Sequence, residues 1–257
     1  MKGWLIVLYL VAALPVCAAP RAELWPIWTS ANAHNSAQID HRLWQQTLDE
    51  YLEVAAAQTR FDYRQYLADN TQWVAQYLTA MANIDPRMYR REEQLAFWIN
   101  LYNAQTVQLI LEEYPLDSIT ELGGVFSFGP WNEEVIEIAG EPLSLNDIEH
   151  RILRPIWQDA RIHYAVNCAS LGCPDLLAES FTANNSEQLL ERAATRFINS
   201  DKGVYIDGER ALLSSIFDWY AKDFTPDVKT HINRYRQGKG LDGHKIGYDY
   251  DWALNER

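Results

Sequence analysis

One long helical segment dominates the sequence. Between Arg91 and Tyr114, apolar residues recur on nearly every side of the predicted helix rather than along one stripe. A helix that is apolar around its circumference has to be surrounded by other elements, so the pattern predicts a central, buried helix. Asn100 and Asn103 lie three apart within this surround and share a face. Because most buried polar side chains bond to backbone, we favour a role in tying down a neighbouring loop, and contact with a substrate is the alternative role.

The first 18 residues are typical of a secretory signal segment. Lys2 precedes an apolar run, and small residues at its end place the expected cleavage before Ala19. The run is shorter than the roughly 20 apolar residues of a membrane span, and no second run of that length follows. Cys17 is disfavoured as a lipid anchor because Val16 precedes it. We therefore expect a periplasmic or secreted protein without a transmembrane segment after signal removal.

The charge of the chain restricts its partners. The formal net charge of −13 becomes −14 once Lys2 is removed with the signal segment. Nucleic acids and anionic lipids select basic patches, so we expect no nucleic-acid partner. A peptide, a glycan or an envelope protein is the predicted partner. The 10 Trp and 14 Tyr side chains suit both a core and the walls of a groove.

Helical and strand patterns follow one another without a break. After an irregular lead-in at residues 19–38, helical spacing begins near Asp40 and continues through the first third of the chain. Further on, two apolar triplets flank Asp207-Gly208, which is a strong hairpin signal. We predict a single globular α+β domain over residues 39–257, with the helical N-terminal third packed on a small mixed or antiparallel sheet.

The segment 161–174 concentrates reactive side chains. Its apolar start predicts a short buried strand over residues 162–167, and a turn rich in nucleophiles follows. Cys168 is the predicted nucleophile, and Ser170 is a predicted substrate-binding residue. In an exported protein the main alternative is a disulfide between Cys168 and Cys173, whose spacing matches no common zinc pattern. We predict neither a metal nor a cofactor.

The thiol needs a group that lowers its pKa, and a histidine is the usual one. If the chain is extended here, the odd spacing puts His163 and Cys168 on opposite faces. His150, on the preceding helix, is therefore the predicted base, with Asn167 or Glu149 to orient its ring. His163 is predicted to be either a substrate-binding residue or a core histidine with satisfied hydrogen bonds.

A further candidate set follows the hairpin. A helix that starts near Ser214 places Trp219 and Asp223 four apart, on one face. This predicts either a tryptophan packed in the core or an aromatic wall with a carboxylate in a cleft. In the second case both residues contact the substrate.

Motifs along the chain together resemble the DUF547 family, whose domains have no assigned function. The matching pieces are Phe61-Asp62-Tyr63, residues 96–104, Tyr114-Pro115, residues 145–154, residues 161–174, residues 216–224 and residues 250–255. The resemblance spans nearly all of the chain after the signal segment. A shared pattern rich in Asn, His, Cys, Trp and Asp is similar to an enzyme site, and a family with cytosolic members implies a functional thiol more than an obligate disulfide.

Two functions follow from these observations. The first is an exported envelope enzyme, a thiol-dependent hydrolase or acyltransferase acting on peptide or amide bonds through Cys168 and His150. It would be similar to papain-like or transglutaminase-like enzymes, but with the histidine before the cysteine in the chain, and therefore in a permuted order. The alternative is a non-catalytic periplasmic binding module in which Cys168 and Cys173 form a structural disulfide.

Overall fold

The computed structural model describes residues 20–124 and 128–257. The predicted signal segment, with Cys17 and the cleavage position before Ala19, lies outside these residues. The described part is a mixture of helices and small sheets in one body, which confirms the predicted α+β class. None of its helices is both long enough and apolar enough to cross a membrane.

Helices account for most of the regular structure. The α-helices are α1 (Arg42–Tyr51), α2 (Tyr63–Ala68), α3 (Trp73–Ala82), α4 (Arg91–Glu113), α5 (Arg154–Trp157), α6 (Ser186–Ile198), α7 (Ile216–Trp219) and α8 (Val228–Tyr235). A π-helix at Asp147–Leu153 runs directly into α5. Short 3-10 helices lie at Pro26–Thr29, Pro86–Met88, Ile119–Glu121 and Ala160–Tyr164.

The strands form three small sheets rather than the one sheet that was predicted. β1 (Leu52–Val54) and β2 (Thr59–Phe61) make one antiparallel hairpin, and β3 (Ile136–Ile138) and β4 (Glu141–Leu143) make another. β5 (Val204–Asp207) and β6 (Arg210–Ser214) form the hairpin expected around Asp207-Gly208. β7 (Lys245–Asp249) then pairs in parallel with β6, which makes this third sheet mixed.

The central helix is the one that the apolar pattern predicted. α4 is buried along almost its whole length, and α2, α3, α6 and the π-helix all pack against it. Asn100, within this apolar surround, has no exposed surface. Its amide nitrogen donates to the carbonyl oxygen of Phe181 at 2.8 Å, and its oxygen accepts from the Phe181 N–H at 3.0 Å. Asn100 thus ties the loop at Phe181 to α4, and its alternative role in contacting a substrate stays a prediction.

The described part of the lead-in, residues 20–38, packs against the rest of the domain. Trp28 is 1% exposed and meets Trp98 of α4 edge-on, with ring centroids 5.1 Å apart. The N–H of Glu23 donates to the carbonyl of His150 at 2.9 Å, and the N–H of Trp25 donates to the carbonyl of Arg151 at 3.0 Å. Pro155, which follows in the same helical segment, has no N–H to donate to a preceding carbonyl. The backbone of the lead-in thus supplies donors to this segment.

Replacing Asn100 by Ala tests this account of α4. The change leaves the N–H and carbonyl of Phe181 buried without partners, so we expect a loss of roughly 2–4 kcal/mol in the free energy of unfolding. Urea unfolding measures it. Gln108→Ala is the matched control, because its side chain lies on the exposed side of the same helix and bonds only Glu112; its effect should stay within about 0.5 kcal/mol. Equal effects of the two substitutions would contradict the loop-tying role.

Candidate functional site

The segment that carries Cys168 does not begin as a strand. Residues Ala160–Tyr164 form a 3-10 helix, so the predicted strand at 162–167 is wrong. Asp159 causes the difference, because its carboxylate accepts from the Arg161 N–H at 2.9 Å and starts the helical turn. A short apolar run looks the same in a buried strand and in a buried helical turn. Because there is no strand here, the prediction that His163 and Cys168 lie on opposite faces of a strand is also wrong.

A set of buried amides fixes the turn after this helix. Asn103 of α4 accepts from the N–H of Asn167 at 2.8 Å and donates to the carbonyl of Ala165 at 2.9 Å. The side chain of Asn167 in turn accepts from the Ala169 N–H at 2.9 Å and donates to the Pro174 carbonyl at 2.7 Å. Among the described residues, neither amide has a hydrogen bond to a histidine. Asn103 and Asn167 thus position the turn, and their predicted roles in contacting a substrate and in orienting a base stay predictions.

The C-terminal tail, residues 250–257, closes the turn from the other side. The N–H groups of Leu171 and Gly172 donate to the carbonyls of Ala253 and Asp251, both at 2.8 Å. The tail comes so close that a Cβ at Gly172 would lie 2.7 Å from the backbone nitrogen of Asp251. Glycine at this position is therefore required by the close approach of the two backbones.

Three side chains surround the sulfur of Cys168, which is partly exposed. Its Sγ lies 3.0 Å from Cys173 Sγ, 3.2 Å from Ser170 Oγ and 3.0 Å from the Tyr250 hydroxyl. Burial raises the pKa of Cys168, but hydrogen bonds from Cys173, Ser170 and Tyr250 outweigh it and lower the pKa to about 7. The Cys168 thiolate therefore forms at a lower pH than the thiolate of an ordinary cysteine.

Both cysteines are free in the structure, although their sulfur atoms touch. The N–H of Cys168 also donates to Cys173 Sγ at 2.9 Å. Burial and the neighbouring Cys168 sulfur raise the pKa of Cys173. This is the reduced form of the pair, and the disulfide stays a prediction for an oxidising compartment.

A second polar cluster, which we call the histidine cluster, contains Glu149, His150, Arg154, His163 and Asp223. His163 is 4% exposed and has a carboxylate at each ring nitrogen: Asp223 at 2.8 Å from Nε2 and Glu149 at 3.5 Å from Nδ1. Burial lowers the pKa of His163, but these two carboxylates outweigh it and raise the pKa above its ordinary value. The two carboxylates thus favour the protonated form of the buried His163 ring.

His150, the predicted base, has the opposite character. Its Nδ1 accepts from the guanidinium of Arg154 at 2.9 Å, so the proton of the neutral ring sits on Nε2. Burial is the main cause that lowers the pKa of His150 to about 4, and the charge of Arg154 adds to it. Glu149 Oε1 lies 3.8 Å from the same Nδ1, but an acceptor nitrogen makes no ion pair with it. The ring is therefore neutral at pH 7.

Among the described residues, the hydrogen-bond partners of Cys168 Sγ include no histidine. Two tyrosines lie within electrostatic range of both the histidine cluster and the Cys168 sulfur. Burial raises the pKa of Tyr102 and Tyr220, and the charges of Glu149 and Cys168 both add to the increase. The Tyr220 ring also stacks on His163 at 4.3 Å. The structure thus brings the predicted residues together in two neighbouring clusters, and their catalytic roles stay predictions.

Trp219 and Asp223 are separated instead of sharing a helix face. α7 ends at Trp219, and Asp223 lies beyond it. Arg154 Nε donates to Asp223 at 2.7 Å, so the carboxylate belongs to the histidine cluster. Trp219 packs instead against two aromatic rings of the tail, Tyr250 at 4.8 Å and Trp252 at 5.7 Å. The predicted shared face is wrong because the helix is one turn shorter than its pattern suggested.

These rings belong to an aromatic cluster beside the thiol. Its members are Phe128, Trp131, Trp219, Tyr250 and Trp252. Phe128 is 55% exposed, and the three tryptophans are partly exposed. Tyr250 is a site residue that sequence reasoning missed, although the aromatic density of the tail was a signal for it.

The fold and site together define an α+β domain whose cysteine turn is closed by its own C-terminal tail. Residues 86–198 match the family model described as "Protein of unknown function, DUF547". This confirms the predicted resemblance over that segment, which contains α4, both cysteines and both site histidines. Asp223 and the aromatic tail lie outside it. No curated protein and no solved structure matches the chain, so the papain-like or transglutaminase-like arrangement stays a prediction.

Replacing His150 by Gln tests the neutral state of this ring. A folded pKa of about 4, below the ordinary 6.5, means that stability from the neutral ring is complete above pH 6.5 and is lost as pH falls towards 4. Gln keeps an acceptor for Arg154 but does not titrate. We expect the variant to take up about one proton fewer on unfolding in this window, which makes its melting temperature less dependent on pH.

Melting curves at a series of pH values measure this change. The matched control is His34→Gln, at an exposed histidine. A slope for His150→Gln equal to that of the wild type would show that the ring is not held neutral.

Proposed function

We propose that the chain is an exported thiol-dependent enzyme, a hydrolase or acyltransferase that acts on peptide or amide bonds with Cys168 as its nucleophile. The observation that supports this proposal best is the partly exposed Cys168 sulfur, whose three hydrogen-bonding neighbours lower its pKa to about 7. A thiolate is the reactive form of cysteine, and this one forms at neutral pH without a histidine in contact with it.

The chemistry follows from the neighbours of the sulfur. The Cys168 thiolate attacks the carbonyl carbon of the substrate and forms a thioester as the C–N bond breaks, and the amine leaves with a proton taken from solvent water. Water or a second amine then releases the acyl group. Burial and the neighbouring cysteines raise the pKa of Tyr250, so its hydroxyl stays protonated and donates to the sulfur. In this proposal Tyr250 and Ser170 stabilise the thiolate, and the role of His150 as the base stays a prediction.

The histidine cluster has a positioning role in this proposal. His163 links Glu149 of the π-helix to Asp223, and Arg154 links Asp223 to His150. Charged groups that are buried and fully paired hold their elements in one arrangement. Tyr220, whose ring stacks on His163 of this cluster, lies within electrostatic range of Cys168.

A non-catalytic envelope module is the second candidate function. The aromatic cluster favours it, because partly exposed tryptophan and tyrosine rings are suited to binding a peptide or a glycan. In this proposal Cys168 and Cys173 form a disulfide that stiffens the turn. The two functions differ in whether the Cys168 thiol is reactive.

Alkylation by iodoacetamide, with mapping by mass spectrometry, tests the acidity of the thiol. We expect the rate at Cys168 to rise with pH through about 7, because the reactive thiolate forms there. Tyr250→Phe keeps the ring but removes one donor, so the pKa should rise and alkylation at pH 7 should slow. Tyr248→Phe, at an exposed tyrosine two residues earlier, is the control. A Cys168 that is inert at every pH would exclude the enzyme and leave the binding module.

Acyl trapping tests the reaction itself. The mature protein is incubated with a peptide thioester, and its intact mass is measured. We expect an acyl adduct on Cys168 that is absent in Cys168→Ser and present in Cys173→Ser, since only one sulfur acts as nucleophile. Labelling of both single variants to the same extent would count against an assigned nucleophile.

A further inference from the structure

The two cysteines occupy unequal positions in the same turn. Cys168 is partly exposed, whereas Cys173 is 4% exposed and lies behind it. Their sulfur atoms are 3.0 Å apart. A reagent that approaches from solvent therefore meets Cys168 first, and Cys173 is placed to attack only what is already bonded to Cys168.

The two thiols of the pair also differ in how easily they lose a proton. The Ser170 and Tyr250 hydroxyls can donate to Cys168 Sγ, and the contact with Cys173 Sγ also lowers the pKa of Cys168, which favours the thiolate at this position. Cys173 keeps its proton, because burial and the neighbouring negative charge oppose its ionisation. A partly exposed cysteine whose thiolate is favoured, in contact with a buried cysteine that keeps its proton, is an arrangement suited to thiol–disulfide exchange.

The backbone around the pair is fixed on both sides. Asn103 and Asn167 hold the start of the turn, and the tail backbone at Asp251 and Ala253 holds Leu171 and Gly172. The sulfur atoms thus stay in contact without rearrangement of the chain. A rigid scaffold of this kind keeps the effective concentration of the second thiol high.

From this geometry we infer that Cys168 and Cys173 form a thiol–disulfide exchange couple that acts on disulfide-bonded peptides. Cys168 is the attacking cysteine and Cys173 is the resolving one. The aromatic cluster next to Cys168 offers uncharged ring surface, which favours a peptide over a small anionic disulfide. This activity does not rest on acyl transfer, and the disulfide form of the couple lacks the free thiolate that acyl transfer needs.

The exchange consists of two displacements. The Cys168 thiolate attacks one sulfur of the substrate disulfide, forms a mixed disulfide and expels the other substrate sulfur as a thiolate. Cys173 then loses its proton to that thiolate and attacks Cys168 Sγ, which forms the Cys168–Cys173 disulfide and expels the second substrate thiolate. That thiolate takes up the proton lost when Cys168 ionised. The substrate gains two electrons and two protons, and the cysteine pair is oxidised by two electrons.

The test uses the full mature chain, reduced beforehand, with a disulfide-linked model peptide as the probe. Products are quenched with acid and analysed by intact mass and peptide mapping. We expect the wild type to release both peptide thiols and to gain a Cys168–Cys173 disulfide. Cys173→Ser should accumulate the mixed disulfide on Cys168, and Cys168→Ser should form none. With dithiothreitol as the reductant, peptide reduction above the uncatalysed rate should be lost in Cys168→Ser, because this variant cannot form the mixed disulfide.

Cys173→Ala guards against misfolding caused by a polar side chain at a buried position, and it should trap the same mixed disulfide. Absence of a mixed disulfide in both Cys173 variants would overturn the proposal, as would a wild type whose mixed disulfide is never resolved by Cys173. Acyl trapping by the thioester needs Cys168 alone and persists in Cys173→Ser. The two activities can therefore fail independently of each other.

Discussion

The surroundings of Cys168 depend on one buried amide, the side chain of Asn103. It comes from the most deeply buried helix of the molecule, and its two bonds fix the backbone on both sides of Val166. A second asparagine, Asn167, continues this hydrogen bonding through the turn to Pro174. A buried amide left without partners costs free energy, so each asparagine confines the loop that satisfies it. The position of the sulfur thus depends on Asn103 of α4, which is more than 60 positions away in the chain.

Much of the fold could be predicted from periodicity, because the pattern and the structure have the same physical cause. α4 is apolar on all sides because it is surrounded, and the hairpin turns at Asp207-Gly208 because glycine adopts the positive φ of 56° found there. In the 162–167 segment, the apolar pattern alone does not distinguish a buried strand from a buried helical turn. Its apolar residues are buried as expected, but a side chain just outside the run, Asp159, selects a 3-10 helix.

The candidate site could be predicted only in part, because its members come from distant parts of the sequence. Residue type and local spacing led to Cys168, Cys173, His150 and His163, and all of them lie in or beside the two clusters. The pairing of Asp223 with Arg154 and His163 spans 69 and 60 positions, and no local pattern encodes it. The same holds for Tyr250, which reaches the sulfur only because the tail folds back over the turn. Such contacts depend on tertiary packing, which a single sequence does not display.

The tail also determines when the thiol becomes acidic. Tyr250 lies 82 positions after Cys168, so the cysteine is synthesised well before one of the donors that lower its pKa. Until the tail docks, Leu171 and Gly172 have no backbone partners there, and the sulfur lacks the Tyr250 hydroxyl. A nascent or unfolded chain therefore carries a cysteine of more nearly ordinary reactivity. Docking of the tail therefore completes the fold of the turn and at the same time brings the Tyr250 hydroxyl to the sulfur.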